Sequence, residues 1–230
     1  MILGLGNIDM VSGDQQKAFQ RKLRSGERHL SKSCSRMNRW IAECGRSSLE
    51  IEWDRQPYES LVRAVAHQQL NGRAAATILQ RFEAGFRGKH FPTPRQVSRA
   101  DPELLRSMGL SAAKVIAIQG IAKAAVSGVI PTRTEAEKLS DEELIQRLIT
   151  LRGVGQWTVE MLLIFSLGRL DVMPADDYGV KSGLRLLLQR SDLPHKREFP
   201  ELTNHWKPYR SLAAWYLWRL ADAAKDRDSP

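Results

Sequence analysis

The residues best suited to chemistry lie between positions 148 and 181 of the chain. A glycine-rich turn with the sequence LRGVG occupies residues 151–155, and an acidic pair, Asp176 and Asp177, follows it. Apolar residues at helical spacing lie on both sides of the turn, which predicts a hairpin between two helices. Backbone N–H groups at the start of a helix bind phosphate, and a carboxylate stabilises a developing positive charge. The stretch therefore indicates anion binding beside carboxylate chemistry.

The hairpin glycines, Gly153 and Gly155, are expected to supply the positive φ and the close approach that such a turn needs. They leave backbone amides unscreened at the start of a helix predicted from Gln156 to Leu167, where a DNA phosphate could bind. An ordinary corner between two core helices has the same local pattern. The hairpin alone does not decide between the two readings.

The composition favours a polyanionic partner without identifying it. The chain has 35 basic and 26 acidic residues, a net charge of +9. Its two cysteines, Cys34 and Cys44, cannot build a four-cysteine zinc or iron–sulfur site, and a reducing cytosol is the simplest setting. No signal peptide and no apolar stretch of about 18 residues is present, so we expect a cytoplasmic protein that does not engage a membrane.

Helical patterns account for the N-terminal half. Residues 1–12 are expected to form a loose arm, and residues 14–45 to be helical, with Gly26 dividing the helix and Gly45 ending it. Residues 51–57 form a linker to a helix that starts at Pro57, and Asn71-Gly72 separates that helix from a second one over residues 73–86.

Capping residues mark the later helices. Asp101 precedes Pro102 at a helix start, Ser111 caps residues 112–126, and Ser140 forms a capping box with Glu143. Further helices are predicted over residues 178–189 and from position 208 onward. No alternating strand pattern occurs, so the fold class is all-α, with around ten helices.

At this point the sequence resembles a known family. Residues 151–158 followed by residues 174–178 are similar to the helix-hairpin-helix (HhH-GPD) DNA glycosylases. Within them the chain resembles the 3-methyladenine DNA glycosylase II (AlkA-type) branch. The similarity extends to residues 63–69 and 206–211 and covers roughly residues 50 to 222.

The resemblance implies a two-lobed helical fold with the active-site cleft between the lobes. It also implies a compact form that lacks the N-terminal β-domain of larger bacterial members. The expected divisions are residues 1–50, an arm and helices packed on the second lobe, and residues 51–150, the first lobe with a DNA-wedge bend. Residues 151–230 then hold the hairpin, the catalytic aspartate and the C-terminal helices.

By the same resemblance, Asp177 is the catalytic carboxylate. Such enzymes flip a nucleotide out of the duplex, and positive charge builds on the sugar as the base leaves. Asp176 is expected to be a helix-capping or supporting carboxylate. Relatives that also cut the strand use a lysine where this chain has Trp157. Because an indole cannot form a Schiff base, the resemblance implies a monofunctional enzyme that uses water.

The resemblance places four side chains around the base: Trp157 and Trp218 as walls, Tyr178 after the aspartate, and Met161 where the family often has an aromatic residue. An alkylated purine is cationic, which suits stacking on an electron-rich ring. For Trp206, Trp215 and Tyr209 core packing is the preferred interpretation.

The implied DNA contacts lie at several elements. Gln69 is the candidate wedge, with Gln68 beside it. The hairpin contacts are Gly153, Val154, Gly155, Gln156 and Thr158. A hairpin of this type can also hold a monovalent cation through the carbonyls of Ile149, Leu151 and Val154, and no other cofactor is expected. Further phosphate contacts are sought among Arg152, Lys181, Arg185, Lys207 and Arg210.

The sequence therefore predicts a monomeric enzyme of base excision repair, acting on damaged double-stranded DNA and associated with the nucleoid of a bacterial-type cell. It would hydrolyse 3-methyladenine and 7-methylguanine from DNA, with ethenoadenine as a further candidate. A related glycosylase for oxidised or mismatched bases is the alternative enzyme. A DNA-binding hairpin module without catalysis is the alternative outside enzymes, and it would need neither Asp177 nor an aromatic pocket.

Overall fold

The computed structural model describes residues 6–70, 72–88 and 90–228, without the side chains of residues 6–12, 72 and 228. All regular structure in these residues is helical, which confirms the all-α class. The α-helices in chain order are α1 (Gly6–Ser33), α2 (Ser35–Cys44), α3 (Pro57–His67), α4 (Gly72–Ala84), α5 (Pro94–Arg99), α6 (Pro102–Ser107), α7 (Ala112–Val126), α8 (Arg133–Ala136), α9 (Asp141–Leu148), α10 (Gln156–Met161), α11 (Tyr178–Leu188), α12 (Phe199–Thr203) and α13 (Arg210–Asp228). A π-helical segment, Leu162–Ser166, continues α10. In the described part of the chain, no helix has the length and apolar character needed to cross a membrane.

The chain forms two compact units. We call residues 54–167 the middle unit, and residues 1–53 with 168–230 the terminal unit. The N-terminal helices share a unit with the C-terminal ones. The division after position 167 differs from the predicted one after position 150, because the hairpin, α10 and the π-helical segment remain with the middle unit. There the ideal Cβ position of Gly153 lies 2.9 Å from the Cβ of Ala117 in α7, so the hairpin backbone packs on that helix.

In the terminal unit, α11 and α13 approach each other backbone to backbone. A Cβ at Gly183 of α11 would overlap the carbonyl oxygen of Leu217 in α13. One turn earlier, a Cβ at Gly179 would lie 2.7 Å from Cδ1 of Trp218. Because residues four apart share one face of a helix, the two glycines form a continuous notch that receives α13.

The first helix differs from its prediction. Helix α1 runs unbroken through Gly26, which was expected to divide it. A Cβ at Gly26 would lie 2.8 Å from both Tyr209 and Leu212, so this glycine allows close packing instead of a break. The break falls at Cys34, whose φ of −148° precedes α2, and Gly45 ends α2 with a φ of +84°, as predicted. Of the expected arm, residues 1–5 lie outside the described residues, and the backbone is helical from Gly6.

The predicted caps are confirmed in the middle unit. The side chain of Asp101 accepts from the backbone N–H of Glu103 at 3.0 Å, and Ser111 caps α7 over its predicted range. Ser140 forms its capping box with Glu143. The short helices α5 and α8 were not predicted, and each of them starts with a capping box. The predicted break at Asn71 lies outside the described residues.

The sequence predicted a single uniform helix after the hairpin, from Gln156 to Leu167, but the structure differs. The helix changes at Leu162 into the π-helical segment, which loosens the regular backbone pairing. The carbonyl of Ser166 accepts from Nη2 of Arg133 at 2.5 Å, and its hydroxyl bonds the hydroxyl of Ser60 at 2.7 Å. These partners satisfy polar groups at the end of the segment that carries on from α10.

The notch in α11 makes a stability prediction. Gly183→Ala should lower the free energy of unfolding by about 1–3 kcal/mol, because the added methyl group overlaps the backbone of α13. Gly120→Ala in α7 is the matched control: nothing lies within 4 Å of its added Cβ, and alanine should raise stability by about 0.5–1 kcal/mol. Urea unfolding measures both. Equal effects of the two substitutions would contradict the close approach.

Candidate functional site

Asp177 is fixed by the start of α11 and by α13. It is the N-cap of α11, and its Oδ1 accepts from the backbone N–H of Val180 at 2.8 Å. The same oxygen accepts from the indole Nε1–H of Trp218 at 2.8 Å. Gly179 permits this contact, since a side chain there would collide with the indole. Two neutral donors from different helices thus orient the half-buried carboxylate.

Asp176 has a different environment. Its carboxylate contacts the ammonium groups of Lys196 at 2.5 Å and Lys181 at 3.5 Å. The hydrogen bond from Lys196, with a further one from Lys181, lowers the pKa of Asp176. The expectation that Asp176 would be the capping residue is wrong, because Asp177 caps α11. Its role as a supporting carboxylate agrees with these ion pairs.

The predicted aromatic residues fall in both units. Trp157 in α10 is 41% exposed, and Met161 at the end of the same helix is half-buried; both belong to the middle unit. Tyr178, the first residue of α11, is 66% exposed and belongs to the terminal unit with Asp177 and Trp218. The indole N–H bond from Trp218 to Asp177 was not foreseen. The paired glycines of α11 were the sequence signal for the close helix contact behind it.

The three aromatic residues for which core packing was the preferred interpretation lie in the terminal unit. Trp206 is fully buried, as expected of a core side chain. Tyr209 packs against Gly26 and lies 5.5 Å from the ring of His29. Trp215 is half-buried, with the guanidinium of Arg219 5.7 Å from its ring centroid.

The two hairpin glycines serve different purposes. Gly153 has a φ of +81°, so it supplies both the left-handed conformation and the close approach that were expected. Gly155 has a φ of −95° and N-caps α10, so the expectation of a positive φ there is wrong. No atom lies within 4 Å of the position that its Cβ would occupy. A side chain at this position would therefore extend into open space.

The hairpin can contact a ligand mainly through its backbone. Val154 and Thr158 are only 4% and 3% exposed, so their side chains lie in the core. The side-chain Nε2 of Gln156 donates to Oε1 of Glu160 at 2.9 Å. Of the predicted phosphate contacts, the backbone N–H groups at the start of α10 are the ones that fit.

The bend after α3 is tied to the hairpin. Nε2 of Gln68 donates to the carbonyl oxygen of Gly153 at 2.9 Å, so this side chain is already engaged. Nζ of Lys114 donates to the carbonyl oxygen of Ala66, two residues earlier, at 2.8 Å. Both bonds lie within the middle unit and hold the bend in place.

Two side chains remain exposed on this bend. Gln69 adopts a φ of +58°, a strained conformation for a residue other than glycine, and its side chain is exposed. Leu70 is 39% exposed. Leu70 was not among the predicted contacts, although an apolar residue beside a predicted helix break was the available signal. The structure therefore favours Gln69 over Gln68 as a projecting residue and adds Leu70.

The carbonyls named for a cation lie along the hairpin turn. Ile149 is the C-cap of α9, and the carbonyl of Leu151 accepts from the N–H of Val154 at 3.1 Å. Among the described residues no cluster of three or more His, Cys, Asp or Glu side chains could hold a metal. Carbonyl oxygens are hard ligands, so the donor type at the turn fits a monovalent cation.

The basic candidates divide by their internal partners. Arg210 contacts Asp171 through Nε at 2.7 Å and Nη2 at 3.0 Å, and Lys181 contacts Asp176. These two side chains serve the fold. Arg152 and Lys207 are exposed, and Arg185 is half-buried.

The bonding of Asp177 predicts how substitutions affect stability. Asp177→Asn should change the free energy of unfolding by less than about 0.5 kcal/mol, because an amide oxygen can accept the same two bonds and asparagine caps helices well. Asp177→Ala should cost about 1–3 kcal/mol, since it removes the cap and the acceptor of Trp218. Thermal and urea unfolding of both variants test this. An asparagine variant as unstable as the alanine variant would contradict the assigned bonds.

Comparison with known proteins places this architecture in a family. DNA-3-methyladenine glycosylase 1 of Schizosaccharomyces pombe is 43% identical over 92% of this chain and 95% of that protein. The structure of the fission-yeast 3-methyladenine DNA glycosylase Mag1 in complex with abasic DNA matches with a TM-score of 0.77 at 44% identity, covering 85% of this chain and 95% of that one. A DNA-3-methyladenine glycosidase from Bacillus halodurans matches with a TM-score of 0.78 at 31% identity, over 87% and 91% of the two chains. The model of the HhH-GPD superfamily of base excision DNA repair proteins matches residues 62–208, and the chain belongs to that superfamily.

Proposed function

We propose that the chain is a monofunctional DNA glycosylase of base excision repair that hydrolyses the N-glycosidic bond of alkylated purines in duplex DNA. The observation that carries the proposal is the carboxylate of Asp177, held by Trp218 and by the start of α11. The similar proteins are named as DNA-3-methyladenine glycosylases or glycosidases, and these names support the substrate class. Within that class we propose type II specificity: 3-methyladenine, 7-methylguanine and ethenoadenine.

The proposed chemistry follows from charge. Methylation at N3 of adenine or N7 of guanine leaves the base cationic, so it departs as a neutral molecule with the electron pair of the C1′–N bond. Ethenoadenine is uncharged, so it must take up a proton from solvent as it departs. Positive charge then develops on the sugar, and the carboxylate of Asp177 stabilises it. A water molecule adds to C1′, and its proton passes to the carboxylate or to solvent. Base and abasic sugar are the products.

Asp177 suits this role better than Asp176. The charge of Asp176 is compensated by two ammonium groups at hydrogen-bonding distance. Two bonds to Oδ1 of Asp177 come from the neutral N–H groups of Val180 and Trp218, which fix the orientation of the carboxylate. Such a carboxylate can interact strongly with a cationic sugar.

Base recognition is proposed for the exposed aromatic residues. Trp157 in the middle unit and Tyr178 in the terminal unit each present ring surface to solvent. An electron-rich ring attracts a cationic base, which favours alkylated purines over normal ones. Met161, half-buried on α10, offers a polarizable apolar surface to the base.

DNA binding is proposed for the hairpin and the bend of the middle unit. The open space at the Cβ position of Gly155 admits a phosphate to the amides at the start of α10. Gln69 and Leu70 would fill the gap that a flipped nucleotide leaves, with Leu70 as the apolar wedge. The carbonyls of Ile149, Leu151 and Val154 would hold a monovalent cation whose charge attracts the same phosphate.

We further propose that the enzyme acts as a monomer, needs no other cofactor and works on damaged chromosomal DNA. The sequence analysis placed it at the nucleoid of a bacterial-type cell. Similar proteins occur both in fission yeast and in a bacterium. The proposal therefore names chromosomal DNA as the substrate and does not name a type of cell.

The catalytic role of Asp177 is tested by base release. Asp177→Asn should reduce release of methylated purines from duplex DNA by at least about 10²-fold, because a neutral amide cannot stabilise the cationic sugar. Binding to abasic DNA should change little, since the side chain keeps its shape and bonds. Chromatography of released bases and a gel-shift assay measure the two properties. Wild-type rates in this variant would refute the assignment.

The monofunctional mechanism is tested by covalent trapping. Borohydride should not link the protein to abasic DNA, because Trp157 stands where a Schiff-base lysine would be needed. Denaturing gel electrophoresis reveals any adduct, and a strand-cleaving glycosylase of the same superfamily is the positive control. Efficient trapping would show that another amine attacks the sugar.

A further inference from the structure

A cavity of about 370 Å³ lies against α1 in the terminal unit. It is not among the elements to which the proposed activity assigns a role. Its lining consists of Arg24, Glu27, Arg28, Ser31, Lys32 and Arg46. Four of these six side chains are cationic, so the cavity concentrates positive charge.

The single carboxylate of the lining does not neutralise this charge. Oε1 of Glu27 accepts from the backbone N–H of Ser47 at 2.8 Å and from the hydroxyl of Tyr216 at 3.1 Å. One negative charge stands against four positive ones, so the lining is cationic overall. Within the described residues, no ion pair joins a carboxylate to any of the four cations.

The cavity continues into a stripe along α1. Arg21, Arg24, Arg28 and Lys32 follow one another at spacings of three and four residues, so they share one helix face. The opposite face carries the buried residues Leu23 and Leu30. The stripe spans about 16 Å at the rise of an α-helix.

An exposed helix face is often only solvated surface, but the pattern here differs from that case. Solvated faces usually mix both signs of charge, and opposite charges four residues apart stabilise the helix. On this face four like charges are adjacent along about three turns, which is unfavourable unless an anion binds. The arrangement is therefore suited to a ligand that carries several negative charges.

We propose that the cavity and the stripe bind the phosphates of duplex DNA, as a second phosphate-binding surface in addition to the hairpin. The inference rests on the proposed function only in taking DNA as the polyanion. A duplex presents about one phosphate charge per 1.7 Å, so a stripe of about 16 Å faces a run of phosphates, which a single free anion would not supply. Helix α1 lies outside residues 62–208, which the superfamily model matches.

The test neutralises the four cations of the cavity together: Arg24→Gln, Arg28→Gln, Lys32→Gln and Arg46→Gln. Glutamine preserves length and helix propensity, so the fold should be retained, which circular dichroism checks. The matched control neutralises four exposed cations of the middle unit to glutamine: Arg95, Arg99, Lys123 and Lys138. Both variants lose the same net charge.

Binding to an undamaged duplex is measured by fluorescence anisotropy over a series of salt concentrations. Each phosphate contact contributes about 0.9 to the slope of log affinity against log salt. The cavity variant should have a slope shallower by about 2 to 4 and an affinity roughly tenfold lower at low salt, relative to the control variant. Equal slopes and affinities in the two variants would overturn the proposal.

A second arm distinguishes DNA from a free anion. Inorganic phosphate is added at constant ionic strength while thermal unfolding is followed. Stabilisation of the wild type but not of the cavity variant, with unchanged DNA slopes, would identify a free-phosphate site and overturn the DNA proposal. Single-turnover base release at saturating enzyme should be equal in the wild type and the cavity variant. A wild type that releases no base would refute the proposed function while leaving the comparison of slopes intact.

Discussion

The contact between α11 and α13 at Gly183 is the constraint on which the candidate catalytic residue depends. Because the backbones meet there, Trp218 one residue beyond Leu217 is brought onto the first turn of α11. Gly179 leaves room for its ring, and the indole N–H then reaches Asp177. The position of the carboxylate is thus a consequence of helix packing. The lack of side chains at Gly179 and Gly183 is as necessary for it as the hydrogen-bonding groups.

Asp177 is also fixed by its own helix, since its side chain caps α11 through Val180. A capping residue has its backbone set by the chain before the helix and its side chain set by the helix itself. Adding a donor from α13 restricts the carboxylate from a third direction. An oriented carboxylate does not have to reorganise when charge develops beside it, which is the condition for strong electrostatic stabilisation.

The sequence predicted those features that depend on a few neighbouring residues. The caps at Asp101, Ser111 and Ser140 are bonds between residues two or three positions apart, so local chemistry determines them. Gly26 failed as a helix break because the reason for a glycine there lies in α13, far along the chain. The same holds for the bond from Trp218 to Asp177. The resemblance named both residues, whereas their contact depends on packing that no local pattern reports.

The acidic pair shows how adjacent carboxylates can acquire different hydrogen-bond donors. With a net charge of +9, a partly exposed aspartate readily attracts a lysine, and an ion pair would weaken its interaction with a cationic sugar. Here Lys181 and Lys196 both contact Asp176, one residue before Asp177. Asp176 thus provides an acceptor for two nearby ammonium groups, whereas Oδ1 of Asp177 bonds neutral donors from Val180 and Trp218. Adjacent aspartates have therefore separated into one that balances local charge and one whose orientation is fixed, and only the second arrangement suits the proposed chemistry.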